Sequence, residues 1–212
     1  MLVEMDLRKL RDQYNLKIKG IIQVGSYLVS EYEILKEVCS GKFIFIDANK
    51  NVTDKLQSKI DEGCLVFNNL VSDVDDQEQD FYILNHEQSS SMLKLDKHAA
   101  YHPEYSKIVE ERKIKTTTLD TLIKLNNINI LNYNCLVMDV QGSELHVLKG
   151  FNSGVGNIDY VYTELNFESM YQGCALEKDL TEYLNDKGFT LVESFNTGFG
   201  WGDGLYIKNS LL

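Results

Sequence analysis

Proline is almost missing: Pro103 stands alone among 212 residues. Turns must therefore come from glycine and from Asn, Asp and Ser clusters. Cysteine is also sparse, with Cys39, Cys64, Cys135 and Cys174 and no CxxC pair. That spacing excludes a zinc cluster. The apolar neighbours (Leu-Val-Met after Cys135, Leu-Val-Phe after Cys64) point to reduced, buried thiols of a cytoplasmic protein. No window approaches 18 apolar residues, so no membrane-spanning helix is expected. Residues 1–16 mix Glu4, Asp6, Arg8, Lys9, Arg11 and Asp12 with apolar positions, an amphipathic helix and not an export signal. Positive charge is short as well: 21 Lys plus Arg face 32 Asp plus Glu, a net charge of −11. A phosphate-backbone binder needs a basic face, and the 12 tyrosines are not interleaved with Lys or Arg, so nucleic acid is not an expected partner. Internal repeats and low-complexity runs do not occur.

What is present is a globular composition, 43% hydrophobic and 25% charged. A chain of this length can bury a full core without staples, and one domain over 1–212 is expected. Buried strands are predicted at 20–24 (GIIQV), 42–47 (KFIFID), 65–71, 135–140 (CLVMDV) and 158–165 (IDYVYTEL). Helical spacing covers 27–39, 52–60, 118–125, 143–149 and 177–187, besides residues 1–19 at the start. Two consecutive strands, 190–195 and 204–208, suggest an antiparallel edge. Residues 81–84 and 91–95 read as a short hairpin within an inserted segment, 72–116. Apolar strands alternating with helices predict an α/β fold with a mainly parallel sheet covered on both faces.

Ligands of such sheets bind beyond the carboxyl ends of the strands. The residues falling there are Gly25, Asp47, Ser72 with Asp73, the run Asp139-Val140-Gln141-Gly142, and Glu164. Gly25 would let backbone approach a ligand with no side chain between them. Asp47, 22 positions later (47 − 25), is spaced to accept the hydroxyls of a ribose. A strand-end glycine and a surface acid explain the same spacing equally well. The turn Gly25-Ser26-Tyr27-Leu28-Val29-Ser30 has one glycine where a dinucleotide fingerprint has three, which disfavours NAD and FAD. Asp139 interrupts an apolar strand, where an acid is costly unless bonded or used. Glu144 is explained as an acid at a helix N-terminus. Glu164 reads either as a strand-end ion pair or as a cleft residue. His146 falls on a short helix, whereas His86, His98 and His102 fall in the insert, which would overhang a site. No HxH or HExxH spacing occurs, and no metal is expected.

Seven segments carry a family resemblance: IIQVGSYLVSEYEIL (21–35), IFIDANKNV (44–52), SSSMLKL (89–95), IKTTTLDTLI (114–123), VMDVQGSELHVLKG (137–150), ELNFESMYQG (164–173) and WGDGLYIK (201–208). In this order the chain resembles the FkbM family of S-adenosylmethionine-dependent methyltransferases, most specifically through MDVQGSELHVLKG. The resemblance implies the class I methyltransferase (Rossmann-like) fold, a seven-stranded mostly parallel sheet with helices on both faces, and S-adenosylmethionine as cofactor. It implies cofactor contacts at Gly25, Ser26, Glu31, Asp47, Ser72 and Asp139, with Asp47 at the ribose and Ser72 beside the adenine. It also implies methyl transfer to oxygen, on a small-molecule or glycan hydroxyl. Asp139 is expected to position, Glu164 to face the acceptor hydroxyl, and His98 or His102 to stand in reserve as a base. Two features depart from the family pattern. The turn has Leu28 or Val29 where a second glycine usually stands, and Asp47-Ala48 replaces the usual Glu-Pro. These departures keep two rivals open, a non-catalytic binding module and a nicotinamide-dependent reductase. Oligomeric state is not legible, a homodimer being allowed.

Overall fold

The computed structural model describes residues 5–212; residues 1–4 of the expected first helix lie outside the described residues. The helix itself is α1 (Leu7–Tyr14), started by the Asp6 carboxylate, which accepts the Arg8 N–H at 3.0 Å. Then follow β1 (Ile18–Val24), α2 (Tyr32–Val38), β2 (Cys39–Asp47), α3 (Lys50–Leu56) and β3 (Leu65–Asn68). The chain next leaves this layer to form β4 (Leu70–Val71), β5 (Glu78–Leu84), the one-turn α4 (His98–Tyr101) and β6 (Ile108–Thr117). It returns through α5 (Leu119–Leu125), β7 (Cys135–Met138), α6 (Glu144–Lys149), β8 (Tyr160–Asn166) and α7 (Glu177–Asp186), and closes with β9 (Phe189–Asn196) and β10 (Trp201–Lys208).

The main sheet has seven strands in the order β3-β2-β1-β7-β8-β10-β9. β10 runs antiparallel to both neighbours, and the other pairs are parallel. The order reverses between β1 and β7, so the carboxyl ends of those strands open a cleft. Alternate residues of the central strands feed two cores. Ile21, Phe43, Phe45, Cys135 and Val137 pack with Leu10 of α1 and Leu35 of α2. Ile22, Ile44, Leu136, Met138 and Val161 pack with Leu119, Val147 and Leu148 on the other face. Burial on both faces is why these strands read as unbroken apolar runs. A fully buried Ile, Leu or Phe contributes about 1.5–3 kcal/mol, so these positions anchor the frame of the cleft. None of the described helices is long and apolar enough to cross a membrane.

Three expectations are corrected. The strand over 65–71 is two strands: Leu65–Asn68 pairs with β2, whereas Leu70 and Val71 pair with Thr116 and Thr117 of a separate three-stranded sheet, β4-β6-β5. Asn69 makes the break, its N–H donating to the Asp47 carbonyl at 3.1 Å. The helix over 27–39 begins at Tyr32, because Tyr27 and Val29 take left-handed φ values of 45° and 44°. The hairpin of 81–84 with 91–95 is reduced to a single bridge, Tyr82 to Ser91. The real partner of β5 is β6, paired from Glu78↔Lys115 to Leu84↔Ile108. Sequence patterning passes over β6 because it is mostly exposed and bears charge on both faces.

Candidate functional site

Gly25 sits at φ +77°, and a Cβ there would lie 1.8 Å from the Asp139 carbonyl oxygen. The absent side chain therefore lets the ends of β1 and β7 close on each other, a different reason from the ligand approach expected of it. After Gly25 the turn continues through Tyr27 and Val29 at φ 45° and 44°. Left-handed backbone costs an L-residue about 1–2 kcal/mol, and a β-branched valine is an outlier there. Such strain persists where surrounding contacts over-determine it. Here the Tyr27 N–H donates to Asp47 Oδ2 at 2.8 Å, the Val29 N–H donates to the Ser26 carbonyl at 3.0 Å, and the Val29 side chain is buried. The turn thus keeps a left-handed path without the glycines that would adopt it readily.

Asp47 is held at both oxygens, Oδ2 by Tyr27 and Oδ1 by the Asn49 N–H at 2.8 Å. Burial pushes its carboxyl up to about 6, with the charges of Asp139 and Glu87 adding to the rise. Across the cleft Glu31 accepts from Gln23 Nε2 at 2.8 Å and from Ser30 Oγ at 3.2 Å. Gly25, Ser26, Glu31, Asp47 and Asp139 all line the cleft. Ser72 does not: it is buried beyond β4, where its carbonyl lies 2.1 Å from the position of a Cβ on Gly150. Asn69, at the break between β3 and β4, lines the cleft in its stead. Three buried polar atoms of the lining have no partner: Ser26 Oγ, Asn49 Nδ2 and Ser143 Oγ. Orphaned polar atoms are costly unless a ligand satisfies them. Among the described residues no Lys or Arg lines the cleft, whereas Glu31, Asp47, Glu87 and Asp139 do. The donor set suits a ligand rich in hydroxyl and amino groups and opposes a pyrophosphate.

A second cavity of about 310 Å³ adjoins the first, Gln88 lining both. Its wall carries His86, His98, His102, Tyr105, Tyr171 and Trp201, and Glu164 and Gln141 lie on the side of the sheet. Asp139 and Glu164 are therefore brought together from adjacent strand ends, and His98 faces the same cavity as Glu164. Burial, then the Asp139 charge, raises the Glu164 carboxyl well above its ordinary range. Gln141 Nε2 donates to Asp139 Oδ1 at 2.6 Å and to Glu164 Oε2 at 2.5 Å, and its Oε1 accepts the Tyr171 hydroxyl. Glu144 Oε1 accepts the N–H groups of Val140 and Gly142 at 3.0 and 3.2 Å, and burial pushes it up to about 7. Ser106 Oγ donates to the His102 carbonyl at 2.7 Å and so accepts from His98 Nδ1 at 3.1 Å. Burial, with His102 and His86 adding, brings His98 down to about 4, which keeps its ring neutral near pH 7. Among the described residues no group of three His, Cys, Asp or Glu side chains converges as a metal site.

The sequence places Gln141 after a strand but assigns it no role, and it does not single out Asn69 or Ser143. Each is a polar residue in a turn, and only the packing of β7 against β8 or the break at Asn69 gives it a partner or a place in the cleft.

A family model described as the methyltransferase FkbM domain matches residues 22–191. No curated protein matches the chain. Among solved structures, an S-adenosylmethionine-dependent methyltransferase from Clostridium acetobutylicum ATCC 824 is similar with a TM-score of 0.51 at 8% identity, over 95% of this chain and 89% of that one. A SAM-dependent methyltransferase from Aquifex aeolicus gives 0.49 at 12% identity, over 95% and 89% of the two chains. Magnesium protoporphyrin IX methyltransferase from Synechocystis PCC 6803, with bound SAM, gives 0.49 at 11%, over 95% and 76%. At such identities the likeness speaks to the fold alone.

Proposed function

Because the chain belongs to the FkbM methyltransferase family, we propose that it transfers the methyl group of S-adenosylmethionine to a hydroxyl oxygen of a small, uncharged acceptor, a sugar or a cyclic alcohol. The observation that carries this reading is the meeting of a cleft that no described Lys or Arg lines, holding three unpartnered polar atoms, with an aromatic cavity at Asp139 and Glu164.

When bound, the cofactor supplies an electrophilic methyl on a sulfonium, which needs no metal or nucleophilic residue to activate it. The work left to the protein is alignment, exclusion of water and management of one proton. Asp47, fixed at both oxygens by backbone N–H groups, would hold the ribose hydroxyls. Ser26, Asn49 and Ser143 would gain the partners they are missing, and Glu31 and Asp139 would meet the amino-acid end, whose ammonium two carboxylates favour. In the second cavity, the imidazoles of His86 and His98, whose proton affinity burial lowers, and the rings of Tyr105, Tyr171 and Trp201 give flat, polar-edged walls suited to the faces of a sugar or cyclic alcohol. Among the described residues no Lys or Arg stands there to receive a phosphate or carboxylate. Glu164 has a raised proton affinity and, once ionised, is the group able to take the acceptor proton. In this reading the protein is cytoplasmic, and its partner is the acceptor, with neither nucleic acid nor membrane involved.

Isothermal titration tests the first half: S-adenosylhomocysteine should bind and NAD should not. Failure of both to bind a folded sample would favour the non-catalytic module. Incubation with methyl-labelled cofactor and a panel of neutral sugars, sugar phosphates and amines tests the second. Label is expected in alkali-stable ethers of the neutral sugars, and transfer confined to amines or phosphorylated acceptors would overturn the assignment. Glu164→Gln should keep cofactor affinity within a few-fold and lower turnover by about 10²-fold or more, the usual scale of acid–base help.

A further inference from the structure

We infer that Gln141 is a positioning residue: its amide binds Asp139 of the cofactor cleft and Glu164 of the acceptor cavity at once, and so aligns the two halves of the site. The methyl-transfer reading is needed only for the kinetic consequence; the coupling itself is a property of this chain without ligand.

The amide is fully committed. Each of its two N–H groups has its own carboxylate, Asp139 Oδ1 at 2.6 Å and Glu164 Oε2 at 2.5 Å, and its oxygen accepts the Tyr171 hydroxyl. In this orientation the N–H groups meet the two carboxyl oxygens, whereas a reversed amide would set its oxygen against Asp139 Oδ1; the Tyr171 hydroxyl also lies 3.2 Å from the Ser89 carbonyl. The backbone is committed too. Gln141 lies at φ 55°, a left-handed conformation uncommon outside glycine. Ser91 Oγ from the insert donates to its carbonyl at 2.7 Å, which pins the turn in that shape. At Gly142, φ +94°, a Cβ would meet Tyr171 and Cys174 at 2.9–3.1 Å, so the turn also packs closely on the segment after β8.

The electrostatic setting explains why an amide serves here. Around Glu164 stand Asp139 after β7, Glu144 in α6, Tyr171 after β8, and His98 and His102 from the insert. Asp203 is opposite Glu164 in β10 and receives the Tyr162 hydroxyl at 3.0 Å. Among the described residues no Lys or Arg pairs with Glu164. A cation at 141 would hold both carboxyls ionised, and an acid would add one more negative charge. A neutral amide gives each carboxyl a donor and leaves the proton balance of the pair to burial, to mutual repulsion and to the hydrogen bond the two carboxyls share. The carboxyls then titrate as a unit whose geometry the amide sets.

The test is direct on the ligand-free protein. Glutamate labelled with ¹³C in the side-chain carboxyl, with Glu164 assigned by its loss in Glu164→Gln, reports the titration of Glu164 by NMR. Removing both donors in Gln141→Leu, or exchanging the amide for a charge in the near-isosteric Gln141→Glu, should move the Glu164 midpoint upward by about one pH unit or more. Tyr171→Phe leaves both donors in place but frees the amide to turn, and should move the midpoint in the same direction by less. If the variants melt lower while the midpoint stays within about 0.3 unit, Gln141 is only a packing residue and the inference fails. Should Gln141→Leu not fold, Gln141→Glu and Tyr171→Phe decide it alone. Where turnover can be measured, the acid limb of the kcat profile should follow the NMR midpoint, with KM for the cofactor within about threefold of wild type. A protein that shifts its midpoint yet transfers no methyl would refute the functional reading and leave the coupling standing.

Discussion

Replacing Gly25 by alanine separates two explanations of a glycine at the end of the first strand. Were the glycine there to admit a ligand, the empty protein would tolerate a methyl group and only binding would suffer. The geometry says otherwise. The added Cβ would stand 1.8 Å from the Asp139 carbonyl oxygen and 2.6 Å from its carbon, where ordinary contact begins at 3.4 Å, and both atoms are backbone. To make room, the ends of β1 and β7 must part, endangering the Asp139 N–H to Val24 carbonyl hydrogen bond at 3.0 Å. Alanine at φ +77° costs about 1–2 kcal/mol. Loss of one strand-end hydrogen bond adds about 1 kcal/mol. Together these give about 2–3 kcal/mol before any loosening of the surrounding core, a large share of a stability of about 5–15 kcal/mol. For a chain of this size that is a fall in Tm of about 4–12 °C. Calorimetry or urea unfolding without ligand measures it. Gly156→Ala is the control: no atom lies within 4 Å of its Cβ and its backbone is not left-handed, so stability should stay within about 0.5 kcal/mol. If ligand-free Gly25→Ala melts within about 2 °C of wild type and loses only cofactor affinity, the close-approach explanation is refuted.

The remaining predictions concern charge and metal. Asp47→Ala should weaken S-adenosylhomocysteine by roughly 10- to 150-fold, the equivalent of about 1.5–3 kcal/mol for a charge-assisted contact. In wild type that affinity should hold above pH 6 and fall below it as Asp47, raised to about 6, takes up a proton; titrations at pH 5 and 8 compare the two regimes, and Asp47→Asn should remove the difference. Buried acids and buried imidazoles pull stability in opposite directions. Glu144, at about 7 against an ordinary 4.5, and Glu164, also raised, contribute stability that is lost as pH rises through their folded values. His98, at about 4 against 6.5, contributes stability that is lost as pH falls below 6.5. Glu144→Gln should therefore flatten a fall in the urea midpoint that runs from about pH 4.5 to 7, and His98→Ala should flatten an opposing rise that runs from about pH 4 to 6.5. Because no three-ligand cluster occurs among the described residues, turnover should survive EDTA; activity lost on chelation and restored by magnesium would contradict this.

The central strands were legible because their chemistry is local: GIIQV, KFIFID and CLVM are buried on both faces and can be little else. Thr118 caps α5, its Oγ1 accepting the Thr121 N–H at 3.1 Å. The strand β6 was not legible, because its alternation lies between charges. Cross-strand partners such as Lys113 with Glu78 and Asp80, at 3.3 and 3.2 Å, exist only once β5 is in place. In the site, Gly25, Asp47, Asp139 and Glu164 could be found by their position after strands. Ser72 does not line the cleft, because the break at Asn69 redirects the chain before reaching it. The left-handed turn at Tyr27 and Val29 and the amide at Gln141 depend on contacts across strands, and nothing in their side-chain types announces them.

The excursion from β4 to β6 has a consequence for how this protein can change over generations. His86, Gln88, Ser89, His98, His102 and Tyr105 make up most of the second cavity, and all come from one uninterrupted stretch between residues 70 and 117. Asp47 and the turn at Gly25 lie before that stretch, and Asp139, Gln141 and Glu164 lie after it. A recombination or small insertion confined to those codons exchanges most of the wall of the second cavity while the carboxylates and the strained turn pass unaltered to the descendant. The wall of that cavity and the carboxylates beneath it are written in separate parts of the gene.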